Sequence, residues 1–315
     1  MSRVVVAPAY GGPEVLTLVD QPDRPPGPDE AVLEVRAAGI NPADWKSVGG
    51  AWGADPSRLP LRVGSEASGV VAEVGEGAAG PAGPLAVGDE VIGYRITGAY
   101  ADRLVVPAAS LVPKPAGLSW EQAAGLMLTG ATAFHAVTAV GLGDGDTVLV
   151  HGAAGGVGLM LVQLARARGA RVIGTARGEG AELVARLGGE PVPYGDGLAD
   201  RVRELAPGGV TAAVDAVGTD EALDVSLALV PDRRRIATIA NFERGGAAGI
   251  QVLGNGPGAD PGTAIRDAAR LQLTRLVDEG RLTVVVAGSF PLAEVAAAHR
   301  EGMGGHSHGK LVLVP

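Results

Sequence analysis

Along the chain, short runs of β-branched and apolar residues give way to segments whose apolar positions recur at helical spacing, and the rhythm changes near residue 118. Before that point the runs Arg3–Ala7, Leu16–Val19, Ala31–Ala38, Gly69–Val74, Glu90–Ile92 and Tyr100–Val106 read as strands. Turn signals such as Pro25-Pro26-Gly27-Pro28, Gly49-Gly50 and Val87-Gly88-Asp89 part them. Short strands with frequent turns predict an irregular barrel or sandwich. From Ser119 the pattern turns helical and runs to Gly141, with Ser119 and Glu121–Gln122 as an N-terminal signature. Strand Thr147–His151, a helix that closes at Gly169, and strand Arg171–Thr175 follow. Helix Gly180–Leu187, strand Pro191–Pro193, helix Leu198–Leu205, strand Thr211–Ala216 and helix Glu221–Leu229 continue the alternation. Strands Arg234–Thr238 and Ile250–Leu253, helix Thr263–Glu279, strand Thr283–Phe290, helix Leu292–Met303 and strand Lys310–Val314 complete it. This predicts an α/β fold: a doubly wound parallel sheet with helices on both faces, and a separate β-rich part.

The turn inside the first βαβ unit is Gly152-Ala153-Ala154-Gly155-Gly156-Val157-Gly158. Strand, glycine turn, helix, strand is the context in which such a turn holds a dinucleotide. Glycines let the chain turn sharply, let the backbone approach a pyrophosphate, and let the helix pack on the strand, while free N–H groups at the helix start face the phosphates. Ala153 stands at the first glycine of the Gly-x-Gly-x-x-Gly pattern; a methyl group there is small enough to keep the turn. The alternative is a buried crossover without ligand. The second strand ends Gly174-Thr175-Ala176-Arg177, with no acid at its tip. NAD-specific turns place an acid there, whereas an arginine pairs with a 2′-phosphate by a forked contact. The expected cofactor is therefore NADPH; the alternatives are that Arg177 is a solvated helix-leading residue, and that Glu179 repels the phosphate or serves a ribose instead.

Composition narrows the rest. The chain has 315 residues, enough for two domains, and is 46% hydrophobic, enough for a sizeable core. A formal net charge of −9 argues against a nucleic-acid or anionic-membrane surface. With no cysteine there is neither a disulfide framework nor a thiolate metal site. The opening MSRVVVAPAYGG is broken too early by Pro8 and Gly11 for a signal peptide, and no apolar run approaches the ~20 residues of a membrane span. A soluble cytoplasmic protein is expected.

The segments AAGINPADWK, VGSEASGVVAEVG, VGDEVIG, GAYADRLVVP, AAGLMLTGATAFHAV, HGAAGGVG, VDAVG and HGKLVLVP follow one another in an order and spacing that are specific together. On them the chain resembles, along essentially its whole length, the zinc-independent quinone oxidoreductases of the medium-chain dehydrogenase/reductase superfamily. The resemblance implies a GroES-like catalytic domain over 1–118, a Rossmann nucleotide-binding domain over 119–258, and a return to the catalytic domain over 259–315. It implies that Asn41 and Asp44 face the nicotinamide or the substrate, that Thr129 contacts the carboxamide region, and that Asn241 lies near the ring. It also implies cofactor contacts from Tyr194 near the 2′-phosphate, with Thr175, and from Val217, Gly218 and Lys310. Tyr94 either lines the substrate side and donates a proton or packs in the barrel, and Trp45 and Trp52 either wall a flat substrate or anchor the core.

The superfamily's alcohol dehydrogenases hold a catalytic zinc with a Cys in the first of these segments and a His in a Gly-His-Glu triplet. Here Asn41 and Ser65 stand at those places, the latter in Gly64-Ser65-Glu66, and no metal is expected. His306 and His308 read as part of a solvated loop, and His135 and His151 as packing residues. Without a Lewis acid the reaction shifts toward an acceptor that is already activated. The resemblance thus implies NADPH-dependent reduction of a quinone or an α,β-unsaturated carbonyl, with the proton from water or Tyr94. The alternatives are a dedicated enone or ketone reductase of biosynthesis, and a cofactor-binding structural or regulatory protein. A homodimer is expected, with the strand near Ile250–Leu253 at the sheet edge.

Overall fold

The computed structural model describes residues 1–305 and 307–315; His306 lies outside the described residues. In chain order the first elements are β1 (Ser2–Ala7), β2 (Thr17–Gln21), β3 (Glu30–Gly39), α1 (Pro42–Val48), β4 (Leu61–Arg62), β5 (Glu66–Val74), β6 (Glu90–Tyr94), β7 (Arg103–Pro107), β8 (Leu111–Pro113), α2 (Trp120–Ala124) and α3 (Met127–Ala139). They are followed by β9 (Thr147–His151), α4 (Gly156–Ala167), β10 (Arg171–Thr175), α5 (Gly178–Arg186), β11 (Glu190–Val192), α6 (Leu198–Leu205), β12 (Ala212–Asp215), α7 (Asp220–Leu229), β13 (Ile236–Thr238), α8 (Phe242–Ala247) and β14 (Gln251–Val252). The chain closes with α9 (Thr263–Asp278), β15 (Val286–Pro291), α10 (Val295–Met303) and β16 (Lys310–Val314). It divides into two compact units, residues 1–128 with 270–315, and residues 129–269.

The first unit is built on β3. That strand pairs antiparallel with β5, β7 and β16, so its ten residues are covered along their length. The sheet runs β8-β6-β5-β3-β16-β15, with β7 on β3, and a smaller sheet runs β2-β1-β4. Leu33, Val35, Val71, Val91, Leu111 and Leu313 fill the interior, as alternation on half-buried strands requires. Besides the unmarked short strands β4 and β8, two features depart from the expected elements. Helix α1 appears in a stretch for which no element was expected, because Asn41 and Asp44 form a capping box around Pro42 at the first helical position. The continuous helix expected over Ser119–Gly141 is broken between α2 and α3. A Cβ on Gly125, at the end of α2, would lie 2.9 Å from Lys310 Cγ, so a larger residue there would crowd that side chain.

The second unit carries the parallel sheet, in the order β11-β10-β9-β12-β13-β14. Counting strands along the chain, this is the doubly wound 3-2-1-4-5-6 order, with the switch point beside β9. Leu149, Ile173, Val202, Ala213, Leu223 and Ile236 form its core. The inner strands β9, β10, β12 and β13 are short and buried on both faces, as helices on both sides demand.

Candidate active site

The parallel sheet places the glycine turn at the carboxyl end of β9. Gly152 has φ +70°, and its N–H donates to Thr175 Oγ1 at 3.0 Å, so Thr175 is buried beneath the turn and supports it. Gly155 caps α4 with no side-chain partner on the helix N–H groups. The three positions of the pattern do different work. A Cβ on Gly158 would lie 2.1 Å from Gly152 O, so this glycine seats the helix against the turn. A Cβ on Gly155 would meet only Gly152 O, at 3.5 Å, so the outer side of the turn is bare backbone. The methyl of Ala153 is buried, and a Cβ on Gly174 in β10 would come within 2.7 Å of it: the glycine lost from the turn is recovered one strand away.

At the end of β10, Arg177 lies across the Tyr194 ring, 4.3 Å from its centroid, and donates to the Tyr194 carbonyl. Beside it is a pocket of ≈ 380 Å³ lined by Ala176, Arg177, Gly178, Ala181, Pro191 and Pro193. Bare helix N–H groups beside one turn and a guanidinium over a pocket at the next strand's tip fit a dinucleotide carrying an extra phosphate. At the ends of β12 and β13, Asp215 Oδ1 accepts from the N–H groups of Val217 and Gly218 at 2.9 and 2.8 Å, and its Oδ2 accepts from Thr238 Oγ1 at 2.8 Å. Asn241 Nδ2 donates to Gly218 O at 3.3 Å. Val217, Gly218 and Asn241 are thereby brought together, and Thr129 is buried in α3. His151 closes β9 as a packing residue. The Ser226 hydroxyl donates to Ala222 O, so it accepts from His151 Nε2–H at 3.1 Å; burial holds this imidazole down to about 4.

In the first unit the structure gathers Asn41, Asp44, Glu66, Tyr100, His299 and Lys310 into one buried knot. Lys310 Nζ donates to Ile40 O at 2.9 Å, Asn41 Oδ1 at 2.5 Å and Glu66 Oε1 at 2.9 Å. Asn41 Nδ2 donates to Glu66 Oε1 at 3.0 Å and to Gly39 O at 3.3 Å. Asp44 Oδ2 accepts from Asn41 N–H and from the Tyr100 hydroxyl, both at 2.8 Å. Tyr100 in turn accepts from His299 Nε2 at 3.3 Å. Burial pushes Asp44 up to about 6 against the pull of these donors, and holds His299 down to about 4.

Two of the expected site residues are already engaged within the protein. Lys310 was expected to contact the cofactor, but its three N–H bonds all end on protein oxygens. Asn41 was expected to face the reacting groups, but both of its amide N–H bonds are spent inward, leaving only Oδ1 with accepting capacity. Tyr94 ends β6 opposite Glu66 and is buried in the barrel wall. Trp45 packs edge-on against His299, whereas Trp52 is 39% exposed. Glu66, Tyr100 and His299 were not singled out from the sequence. Glu66 was visible in the Gly-Ser-Glu triplet, while nothing local marks Tyr100 or His299.

The knot does not fit a zinc ion. Asn41 and Ser65 are weak donors for it, and an ammonium already lies against Asn41 Oδ1 and Glu66 Oε1.

Fold and site together define a two-domain nicotinamide-type dehydrogenase, and the comparisons agree. Residues 27–116 match the alcohol dehydrogenase GroES-like domain, and residues 156–254 the zinc-binding dehydrogenase domain. A quinone oxidoreductase of Pseudomonas aeruginosa is 34% identical over the whole of both chains. A 2-haloacrylate reductase of Burkholderia is 33% identical over 100% of this chain and 99% of its own. A mycobacterial protein solved in complex with NADPH superposes with a TM-score of 0.86 at 33% identity, over 99% of this chain and 100% of its own. The chain belongs to the zinc-independent quinone oxidoreductase family of medium-chain dehydrogenases/reductases.

Proposed function

We propose that the protein is a zinc-independent, NADPH-dependent oxidoreductase that reduces a quinone or an α,β-unsaturated carbonyl, and that it works as a homodimer in the cytoplasm. One observation carries the reading: the turn before α4 is bare on its outer side, and Arg177 stands over a pocket at the tip of the next strand. In this reading the N–H groups of Gly156, Val157 and Gly158 hold the pyrophosphate, and the turn Gly152-Ala153-Ala154-Gly155 keeps bulky side chains away from it. Arg177 and Tyr194 take the 2′-phosphate. Thr129, Val217, Gly218 and Asn241 line the nicotinamide end. Bound there, NADPH supplies a hydride. The protein's own part is to bind, orient and exclude water. A conjugated acceptor needs no Lewis acid, which suits a site whose internal cation is Lys310. Asn41 and Asp44 shape the acceptor end by fixing the start of α1, and water supplies the proton. The quinone oxidoreductase and 2-haloacrylate reductase relatives support the two halves of the acceptor class. No helix among the described residues is long and apolar enough to cross a membrane, which is compatible with the cytoplasm, and the edge position of β14 supports the dimer.

The test is NADPH oxidation against a panel of quinones and conjugated enones, with Gly156→Asp as control. Turnover of at least one acceptor is expected. Gly156→Asp should fold and bind NADPH about a hundredfold more weakly, since it sets a carboxylate against the pyrophosphate. Tight NADPH binding with no acceptor reduced would make this a binding protein instead.

A further inference from the structure

Lys310 is 3% exposed, and its charge is met by three oxygens: Ile40 O and Asn41 Oδ1 from adjacent residues, and Glu66 Oε1 from β5. The chain is shaped to admit it. A Cβ on Gly125 would lie 2.9 Å from its Cγ, and a Cβ on Gly39 would lie 2.5 Å from Glu66 Oε1. An ammonium only donates and a carboxylate only accepts, so the Asn41 amide fits between them in one orientation, Oδ1 toward Lys310 and Nδ2 toward Glu66. Reversal would set N–H against ammonium and carbonyl against carboxylate. Asn41 is also the N-cap residue of α1, which carries Trp45 and leads into the loop holding Trp52. The other carboxylate oxygen of Glu66 accepts from Leu128 N–H at 2.8 Å, in the first turn of α3, where negative charge complements the helix dipole.

We propose that Lys310 is a built-in cation and a positioning residue for the acceptor end of the site: its charge fixes the Asn41 amide and the Glu66 carboxylate, and through them the starts of α1 and α3. It does not contact the cofactor phosphates. In its link to the acceptor this inference rests on the function proposed above; the placement of the charge does not.

Lys310→Ala removes three methylenes and the ammonium, a gap that n-propylammonium matches in length and charge and n-propanol in length alone. In the full-length variant, n-propylammonium at millimolar concentration should raise the melting temperature by several degrees and restore acceptor kcat/KM at least tenfold, while n-propanol does neither. In Lys310→Met the chain length is kept without the charge. Acceptor kcat/KM should fall at least tenfold, whereas the salt dependence of NADPH affinity should match the parent, because no phosphate contact is lost. Equal effects of the amine and the alcohol, parent-like kinetics of Lys310→Met, or a flattened salt dependence would each overturn the proposal. If Lys310→Ala folds only with the amine, that supports it; if it folds with neither additive while Lys310→Met is fully active, the charge is not the reason. A parent that turns over no acceptor would sink the functional reading and leave the thermal comparison of amine with alcohol to decide the role of the charge.

Discussion

Arg177 is where sequence spacing and side-chain geometry meet most directly. Its guanidinium is exposed, stacked on Tyr194 and tied to that residue's carbonyl, so it is pre-oriented while keeping further N–H bonds for a ligand. A 2′-phosphate distinguishes NADPH from NADH. Exposure screens the contact, so Arg177→Ala should weaken NADPH binding by about tenfold, the lower end for a charge-assisted hydrogen bond, and leave NADH within twofold. Titration of both cofactors against parent and variant is the check; equal losses for both would assign Arg177 to the adenine or the fold. The same scale shows what a linear motif conceals. The AAGGVG turn is legible in sequence, but the tolerance of Ala153 depends on Gly174, which reads only as a strand residue until β9 and β10 are paired.

At the scale of elements, α1 hangs on Asp44, and its chemistry makes stability depend on pH. Burial raises Asp44 from 3.8 to about 6. Between those values the folded protein holds a proton that the unfolded chain has released, so this group favours folding at low pH and loses that effect as pH rises through 6, by roughly 3 kcal/mol in all. His299 and His151 act oppositely. Each is lowered from 6.5 to about 4, so the unfolded chain takes the proton first and stability falls as pH drops from 6.5 toward 4. In the parent these tendencies partly cancel. Asp44→Asn, whose carbonyl can still accept from Asn41 N–H and Tyr100, should therefore gain on the parent by roughly 3 kcal/mol between pH 4 and pH 7. Urea unfolding at both values tests this, and parallel pH profiles would refute it. Elements with a strong period or sharp punctuation were readable in advance: Thr147–His151, Arg171–Thr175, Leu198–Leu205 and Lys310–Val314 fall where their patterns place them. Helix α1 was passed over although Asn41-Pro42 and Asp44 spell out its cap, because seven residues in a strand-rich stretch offer no period. Helix α8 has two glycines in six residues, so its sequence has little helical preference. The knot was half-visible: Asn41 and Asp44 stand near each other in sequence, while Tyr100 and His299 join them only through folding, across 56 residues and then a further 199.

At the scale of the whole molecule, the parallel sheet has two edges, and they differ in what a second copy could use. The β11 edge is three residues long, with Pro191 inside it and Pro193 directly after it; neither can donate a backbone hydrogen bond. The β14 edge has no proline, and it is the side on which pairing with a second subunit is expected. Part of it is already engaged, because the chain folds back after Leu253 and Asp260 N–H donates to Val252 O at 2.8 Å, while Gly254 N–H donates to Asp260 O at 2.8 Å. N–H and C=O of one strand residue point to the same side, so the Val252 N–H faces outward as well, away from the bond that Leu253 N–H makes to Thr238 O in β13. A subunit contact built on this edge must therefore use the narrow span at Gln251–Val252 together with the folded-back segment 254–260. Sedimentation at micromolar concentration should give a particle of twice 31.4 kDa. Val252→Pro deletes the outward N–H and leaves the β13 bonds in place, so it should weaken the dimer at least about tenfold, the scale of one lost backbone hydrogen bond on each side of a twofold contact. A parent that sediments only as monomer, or a folded Val252→Pro protein that dimerises as tightly as the parent, would show that this edge does not carry the assembly.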